Sequence, residues 1–208
     1  MINLANRQVW MFREPRSGST GLTQALADKL NKTFLFIENK NQIVYDSSVL
    51  LNTHNFNLLD QIKEEHNPIL LRCTRKDKFE QFLSLNMLHL TRFTNIYTHQ
   101  DGETERINKF NKFVKENNKE ITKTEMLKFL VLKKNENLLW NQIASKFENH
   151  VFYYEDSAFP VDIPVLGMYN INIELEKYTE KIPEYKKDFY TNYDMVKQWM
   201  NIYSNDNS

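Results

Sequence analysis

The chain has 208 residues, and its 27 basic residues balance its 27 acidic ones, which argues against a general nucleic-acid or membrane-surface binder. The single cysteine, Cys73, excludes an internal disulfide framework, and no apolar run approaches the roughly 18 residues of a membrane-spanning helix. We therefore expect one soluble, cytoplasmic and untargeted α/β protein with a sizeable core, and neither a nucleic-acid nor a membrane partner.

Segments typical of strands and helices alternate along the first half of the chain. Continuous apolar runs that turn polar at one end predict buried parallel strands, and Pro and Gly mark the turns between them. We predict strands at 8–13, 33–38, 49–53 and 69–74, helices at 21–30 and 58–66, and either a short strand or a loop at 42–45.

The second half is richer in helix. Apolar residues predict a largely buried helix over 79–93, and a weak apolar stripe runs through 99–120. Thr122 and Glu125 form a capping box that opens a long helix. A last core strand is predicted at 151–154, then an irregular section, then an amphipathic helix over 192–203. This alternation predicts a three-layer α/β fold with a parallel central sheet, whose ligands bind at the carboxyl ends of the strands.

The first strand ends in a loop with the composition of a phosphate cradle. A turn with Pro15 and Gly18 lies between the predicted strand at 8–13 and the predicted helix at 21–30, so the N–H groups of Ser17, Gly18, Ser19 and Thr20 are donors for a tetrahedral anion. Gly18, Ser19 and Thr20 stand where an ATPase phosphate loop reads Gly-Lys-Ser/Thr, so Ser19 occupies the position of the lysine. The loop therefore favours an anion other than a nucleoside triphosphate.

The string PRSGST after a strand resembles the 5′-phosphosulfate loop of sulfotransferases that use 3′-phosphoadenosine 5′-phosphosulfate (PAPS). The resemblance is to the short, divergent branch that includes glycan and bacterial sulfotransferases, which share a P-loop-type α/β fold. It implies that Arg16 contacts the phosphosulfate and stabilises the leaving phosphate, while Ser17, Gly18, Ser19 and Thr20 surround it. PAPS is then the cofactor, adenosine 3′,5′-bisphosphate the product, and no metal is required.

Further residues match the family in the same order along the chain. Arg75 and Ser84 resemble the arginine and serine that bind the donor's 3′-phosphate, at a spacing one residue longer than the family's, and Arg72 is the alternative arginine. Tyr154, in a strand ending Tyr-Glu-Asp, resembles the tyrosine near the adenosine.

His54 follows the apolar strand 49–53 and resembles the histidine of the family's Lys-(Thr/Ser)-His motif, which takes the proton from the acceptor hydroxyl. Histidine suits this role because its ordinary pKa lies near neutral pH. Asn52 stands where the family has the lysine, and the C-terminal Arg-Lys-Gly segment that closes the site in cytosolic members is absent.

The sequence thus predicts one sulfotransferase-like domain over 1–208, with a nucleotide-binding core at about 8–95 plus 151–155 and a helical acceptor or lid region at about 96–150 and 158–203. The predicted function is transfer of a sulfuryl group from PAPS to a hydroxyl or amine of a small-molecule or glycan acceptor. Two alternatives stay open: a catalytically inactive nucleotide- or partner-binding protein, and a small kinase with a degenerate loop. The sequence does not indicate the acceptor or the oligomeric state.

Overall fold

A computed structural model of the chain describes residues 7–14, 19–93, 103–153, 161–165, 169–173 and 186–205. Its strands are β1 (Val9–Arg13), β2 (Thr33–Phe36), β3 (Val49–Thr53), β4 (Ile69–Thr74), β5 (Glu148–Tyr153), β6 (Val161–Val165) and β7 (Tyr169–Ile173). Its helices are α1 (Ser19–Lys29), α2 (Lys78–Phe93), α3 (Glu103–Glu116), α4 (Lys123–Ala144), α5 (Lys186–Phe189) and α6 (Tyr193–Asn205).

The first five strands form one sheet in the order β2-β3-β1-β4-β5, and every neighbouring pair is parallel. The protein is therefore an α/β protein with a five-stranded parallel sheet. β1, β3 and β4 are the inner strands, and nearly all of their side chains are buried, as expected for strands covered on both faces.

Alternation along the inner strands sorts their side chains into two apolar clusters. We call one side of the sheet the α1 face, because its strand residues pack with residues of α1; this cluster includes Val9, Met11, Leu50, Leu71, Cys73, Leu22 and Leu26. We call the other side the α4 face, because its strand residues pack with the last turns of α4; this cluster includes Trp10, Phe12, Leu51, Leu70, Trp140 and Ala144.

Several predicted elements differ from those observed. The helix predicted at 58–66 is two 3₁₀ turns, Phe56–Gln61 and Glu64–His66, and the second ends at Asn67, whose φ of 42° is left-handed. Of the two alternatives predicted for 42–45, the loop is the one observed: Gln42 ends the 3₁₀ turn Lys40–Gln42, which Asn39 caps, and residues 43–45 have no regular secondary structure. Within the section predicted to be irregular, β6 and β7 form an antiparallel two-stranded sheet.

The chain divides into two compact units. The first comprises residues 1–77 and 135–178 and contains the parallel sheet, whereas the second comprises 78–134 and 179–208 and is helical in its described parts. The second unit has its own apolar cluster, which includes Phe82, Leu83, Met126 and Tyr190. The predicted assignment of 1–208 to one sulfotransferase-like domain stays a prediction.

The predicted capping box at the start of α4 is confirmed. The Thr122 backbone N–H donates to the Glu125 carboxylate at 2.8 Å, and the Glu125 backbone N–H donates to the Thr122 hydroxyl at 3.2 Å. Across the described residues, no helix has an apolar stretch long enough to cross a bilayer.

Candidate functional site

The carboxyl ends of β3, β1 and β4 lie side by side, because these are neighbouring parallel strands. After β1 the chain continues towards β2 at one edge of the sheet, and after β4 it continues towards β5 at the other edge. Neighbouring strands whose connections leave in opposite directions form the topological switch point at which open α/β sheets bind ligands. A ligand of the first unit is therefore expected at the carboxyl ends of β1 and β4, near the site residues predicted from the sequence.

The predicted phosphate loop joins β1 to α1 at the switch point. Arg16, Ser17 and Gly18 lie outside the described residues, whereas Ser19 and Thr20 form the start of α1. Only residues 15–18 separate Glu14 from α1, so the helix begins at the carboxyl edge of the sheet. The first turn of α1 contains no acidic residue that would compete with a bound anion.

The backbone of β1 holds His54 at the carboxyl end of the sheet. Its Nδ1 lies 2.7 Å from the carbonyl oxygen of Arg13, and its ring makes an edge-on contact with Phe36 at 5.8 Å between centroids. A carbonyl oxygen only accepts hydrogen bonds, so Nδ1 carries a proton. In the neutral ring the lone pair then resides on Nε2, and this is the nitrogen that can act as a base.

Arg13 supplies a positive charge beside this histidine. Its guanidinium carbon lies 5.1 Å from the centroid of the Phe36 ring. Burial lowers the pKa of Arg13, and Cys73 partly offsets this by raising it. Because burial disfavours the charged form, a bound anion would stabilise this arginine more than it would stabilise a hydrated one. The sequence reasoning did not assign Arg13 to the site, although its position at the end of β1 was a signal.

Asn52 is fully buried near the carboxyl end of β3, with 0% of its surface exposed. Neither its Nδ2 nor its Oδ1 has a hydrogen-bond partner among the described residues. It lies two positions after Leu50, which belongs to the α1-face cluster, so its amide points to the α1 face. A buried side-chain amide without partners is rare in native proteins and is a feature that a ligand can explain.

The residues predicted to bind a 3′-phosphate fall in different units. Arg75 is partly buried and directly follows β4 in the first unit, whereas Ser84 is buried within α2 in the second. Tyr154 lies outside the described residues, and its predecessor Tyr153 pairs with Thr74 in the sheet. The shared 3′-phosphate site of Arg75 and Ser84 therefore stays a prediction.

Arg72, the alternative arginine, lies on the α4 face. Its Nη2 donates to Glu14 Oε1 at 2.5 Å and to Asn137 Oδ1 at 2.6 Å, and its guanidinium carbon is 5.1 Å from the ring centroid of Phe56 and 5.8 Å from that of Trp140. Glu14 is fully buried. The sequence reasoning missed this ion pair, which joins residues 58 positions apart.

The described residues include no group of three or more His, Cys, Asp and Glu side chains that could hold a metal ion. Comparisons of the chain with models of protein families, with curated proteins and with solved structures find no match. The residues at the switch point are therefore the features of the chain that indicate a function.

Proposed function

We propose that the protein is a PAPS-dependent sulfotransferase, with a P-loop-type phosphate loop in a three-layer α/β fold. Several observations support the proposal. The five-stranded parallel sheet has its switch point between β1 and β4. The loop with the PRSGST string leaves from that point, and the first turn of the helix after it has no acidic residue. A buried amide, Asn52, lies on the neighbouring strand β3, and His54 directly follows that strand.

The observation that carries the proposal is the hydrogen bond between His54 Nδ1 and the Arg13 carbonyl. It fixes the imidazole beside the strand that leads into the phosphate loop and leaves Nε2 as the basic nitrogen of the neutral ring. A general base needs this combination of position and tautomer.

In the proposed reaction, an oxygen or nitrogen of the acceptor attacks the sulfur of PAPS on the side opposite the phosphate oxygen. A bond between sulfur and the acceptor forms as the bond between sulfur and that phosphate oxygen breaks. The acceptor's proton passes to Nε2 of His54. The electron pair of the broken bond stays on adenosine 3′,5′-bisphosphate, where Arg16 and the N–H groups of residues 17–20 stabilise the negative charge.

The test measures transfer of labelled sulfate from PAPS to a panel of hydroxyl and amine acceptors. We expect His54→Ala to lower turnover by about 10²–10⁴-fold, the usual contribution of a general base, while adenosine 3′,5′-bisphosphate still binds. Arg16→Ala should weaken binding of this product as well as turnover. His89→Ala changes an exposed histidine of α2 and is the control that should leave both unchanged. Unchanged turnover in His54→Ala and Arg16→Ala would refute the mechanism.

One observation favours a second candidate, a protein that binds the nucleotide without transferring sulfate. Asn52 stands where the PAPS-dependent sulfotransferases that the sequence resembles have a lysine, so one positive charge near the transferred sulfuryl group is missing. In that case adenosine 3′,5′-bisphosphate would raise the melting temperature and no acceptor would be sulfated. Comparing this compound with ADP and with ATP plus Mg²⁺ also tests the kinase alternative, because a kinase would be stabilised best by the magnesium–ATP complex.

A further inference from the structure

The Asn52 amide has an unusual environment for a residue of an inner strand. It is fully buried, yet both of its polar atoms have no hydrogen-bond partner among the described residues. Its neighbour Thr53 is equally buried, but the Thr53 hydroxyl accepts a hydrogen bond from the Asn55 backbone N–H at 2.9 Å. Exchanging the amide oxygen and nitrogen of Asn52 would not change this contrast, since both atoms are unpartnered.

The position of Asn52 limits what could satisfy it. Its side chain points to the α1 face, and residue 52 pairs with Met11 and Phe36 in the sheet, close to the strand ends from which the phosphate loop and His54 follow. The Asn52 amide and the start of α1 therefore lie on the same face of the sheet and at its carboxyl end. A group bound at the N-terminus of α1 would lie on the same side and at the same end of the sheet as the amide.

The chemistry of the amide narrows the ligand further. Its Nδ2 donates hydrogen bonds, and the oxygens of a sulfuryl group accept them. Its Oδ1 needs a donor, and a fully ionised sulfuryl group has no hydrogen to offer. An attacking hydroxyl or amine does carry one. Two ligand groups of different polarity are therefore needed to satisfy the whole side chain.

We infer that Asn52 binds the two reacting groups together: Nδ2 donates to an oxygen of the sulfuryl group, and Oδ1 accepts from the hydroxyl or amine that attacks it. The inference rests on the proposed function and assigns a substrate class, an acceptor that presents a neutral O–H or N–H donor at the sulfur. A neutral amide aligns the acceptor's lone pair with the sulfur, whereas a lysine at this position offers only donors.

The experiment uses Asn52→Leu, which keeps the branched shape and removes both polar atoms, in the full chain without ligand. Removing a buried polar group that has no protein partner should raise the melting temperature by about 3–8 °C. The matched control is Thr53→Val, at the next position and equally buried. It removes a hydroxyl that has a partner, so it should lower the melting temperature. If Asn52→Leu lowers the melting temperature as well, the amide has a partner within the protein and the inference is wrong.

The ligand readout compares two nucleotides by calorimetry. PAPS carries the sulfuryl group, and adenosine 3′,5′-bisphosphate does not. We expect Asn52→Leu to reduce the preference for PAPS over the bisphosphate by about 10–100-fold, the usual value of a hydrogen bond to a charged group, with the affinity for the bisphosphate unchanged. Asn52→Asp keeps the shape and adds a negative charge, so it should reduce the same preference at least as much.

The outcomes separate this inference from the proposed function. If the wild-type chain binds neither nucleotide, the proposed function fails and the inference fails with it. If the wild-type chain binds both and Asn52→Leu keeps the preference for PAPS, the proposed function stands and only the role of Asn52 is refuted. A loss of affinity for both nucleotides in Asn52→Leu also refutes it, because the bisphosphate lacks the sulfuryl group to which the amide is inferred to bind.

Discussion

Removal of Arg72 should destabilise the protein strongly, because it removes the buried cation that pairs with the carboxylate of Glu14. Glu14 is fully buried, and the Arg72 side chain is 6% exposed. Breaking a buried ion pair by removing one partner typically costs about 3–5 kcal/mol of folding free energy. For a chain of 150–250 residues, each kcal/mol lowers the melting temperature by about 2–4 °C. We therefore expect Arg72→Met to melt about 6–20 °C below the wild-type protein.

Thermal unfolding followed by circular dichroism measures this change. Two further variants show whether it is caused by the loss of the ion pair between Arg72 and Glu14. Asn137→Ala removes the other hydrogen-bond partner of Arg72, but residue 137 is exposed and water can replace it, so a drop of no more than about 4 °C is expected. The double variant Glu14→Leu with Arg72→Met replaces both charges by apolar groups and should recover most of the lost stability.

A melting temperature of Arg72→Met within about 3 °C of the wild-type value would refute this prediction, since a difference that small does not fit the loss of a buried ion pair. The prediction would also be refuted by a double variant that melts as low as Arg72→Met. In that case the destabilisation would come from lost packing of the guanidinium against the rings of Phe56 and Trp140, not from the charge of Glu14.

Three smaller effects follow from other contacts. Burial lowers the pKa of His150, so the unfolded chain takes up its proton first, and stability should decrease as the pH falls through the ordinary histidine pKa of about 6.5; His150→Gln should flatten that part of the profile of melting temperature against pH. Thr122→Ala removes the hydroxyl that caps α4 and should lower the melting temperature by about 2–4 °C, whereas an unchanged value would show that the Glu125 half of the capping box suffices. Tyr190→Phe removes the hydroxyl that donates to the buried Leu83 carbonyl at 2.9 Å; urea unfolding should show a loss of about 1–2 kcal/mol, and a neutral result would mean that this carbonyl finds another donor.

The inner strands could be predicted from the sequence because burial on both faces gives them continuous apolar runs. β3 and β4 occupy the predicted ranges 49–53 and 69–74. β5 starts at Glu148, three residues before the predicted start at 151, because its first residues are polar and join the sheet through backbone pairing with β4. Hydrophobic patterns do not record such pairing.

The candidate site could be predicted only in part, and the reason is again physical. The position of His54 follows from the strand before it, so its place at the sheet edge was predictable. Arg72 was open to two interpretations, because a local pattern cannot show that Glu14, far away in the chain, provides its countercharge. Asn52 was interpreted only as a missing lysine, since complete burial and the lack of a partner are properties of the packed chain.

Alternation at the strand ends separates binding groups from stabilising ones. Asn52 points to the α1 face, whereas its neighbour Thr53 points to the α4 face and its hydroxyl accepts a hydrogen bond from the Asn55 backbone N–H. On the adjacent strands, the ion pair of Glu14 and Arg72 also lies on the α4 face. Consecutive side chains of a strand point to opposite faces of the sheet, so one position can bind a ligand while its neighbour stabilises the fold. At the carboxyl ends of these strands, a substitution of Asn52 should therefore change ligand binding more than stability, and one of Thr53, Glu14 or Arg72 should do the reverse.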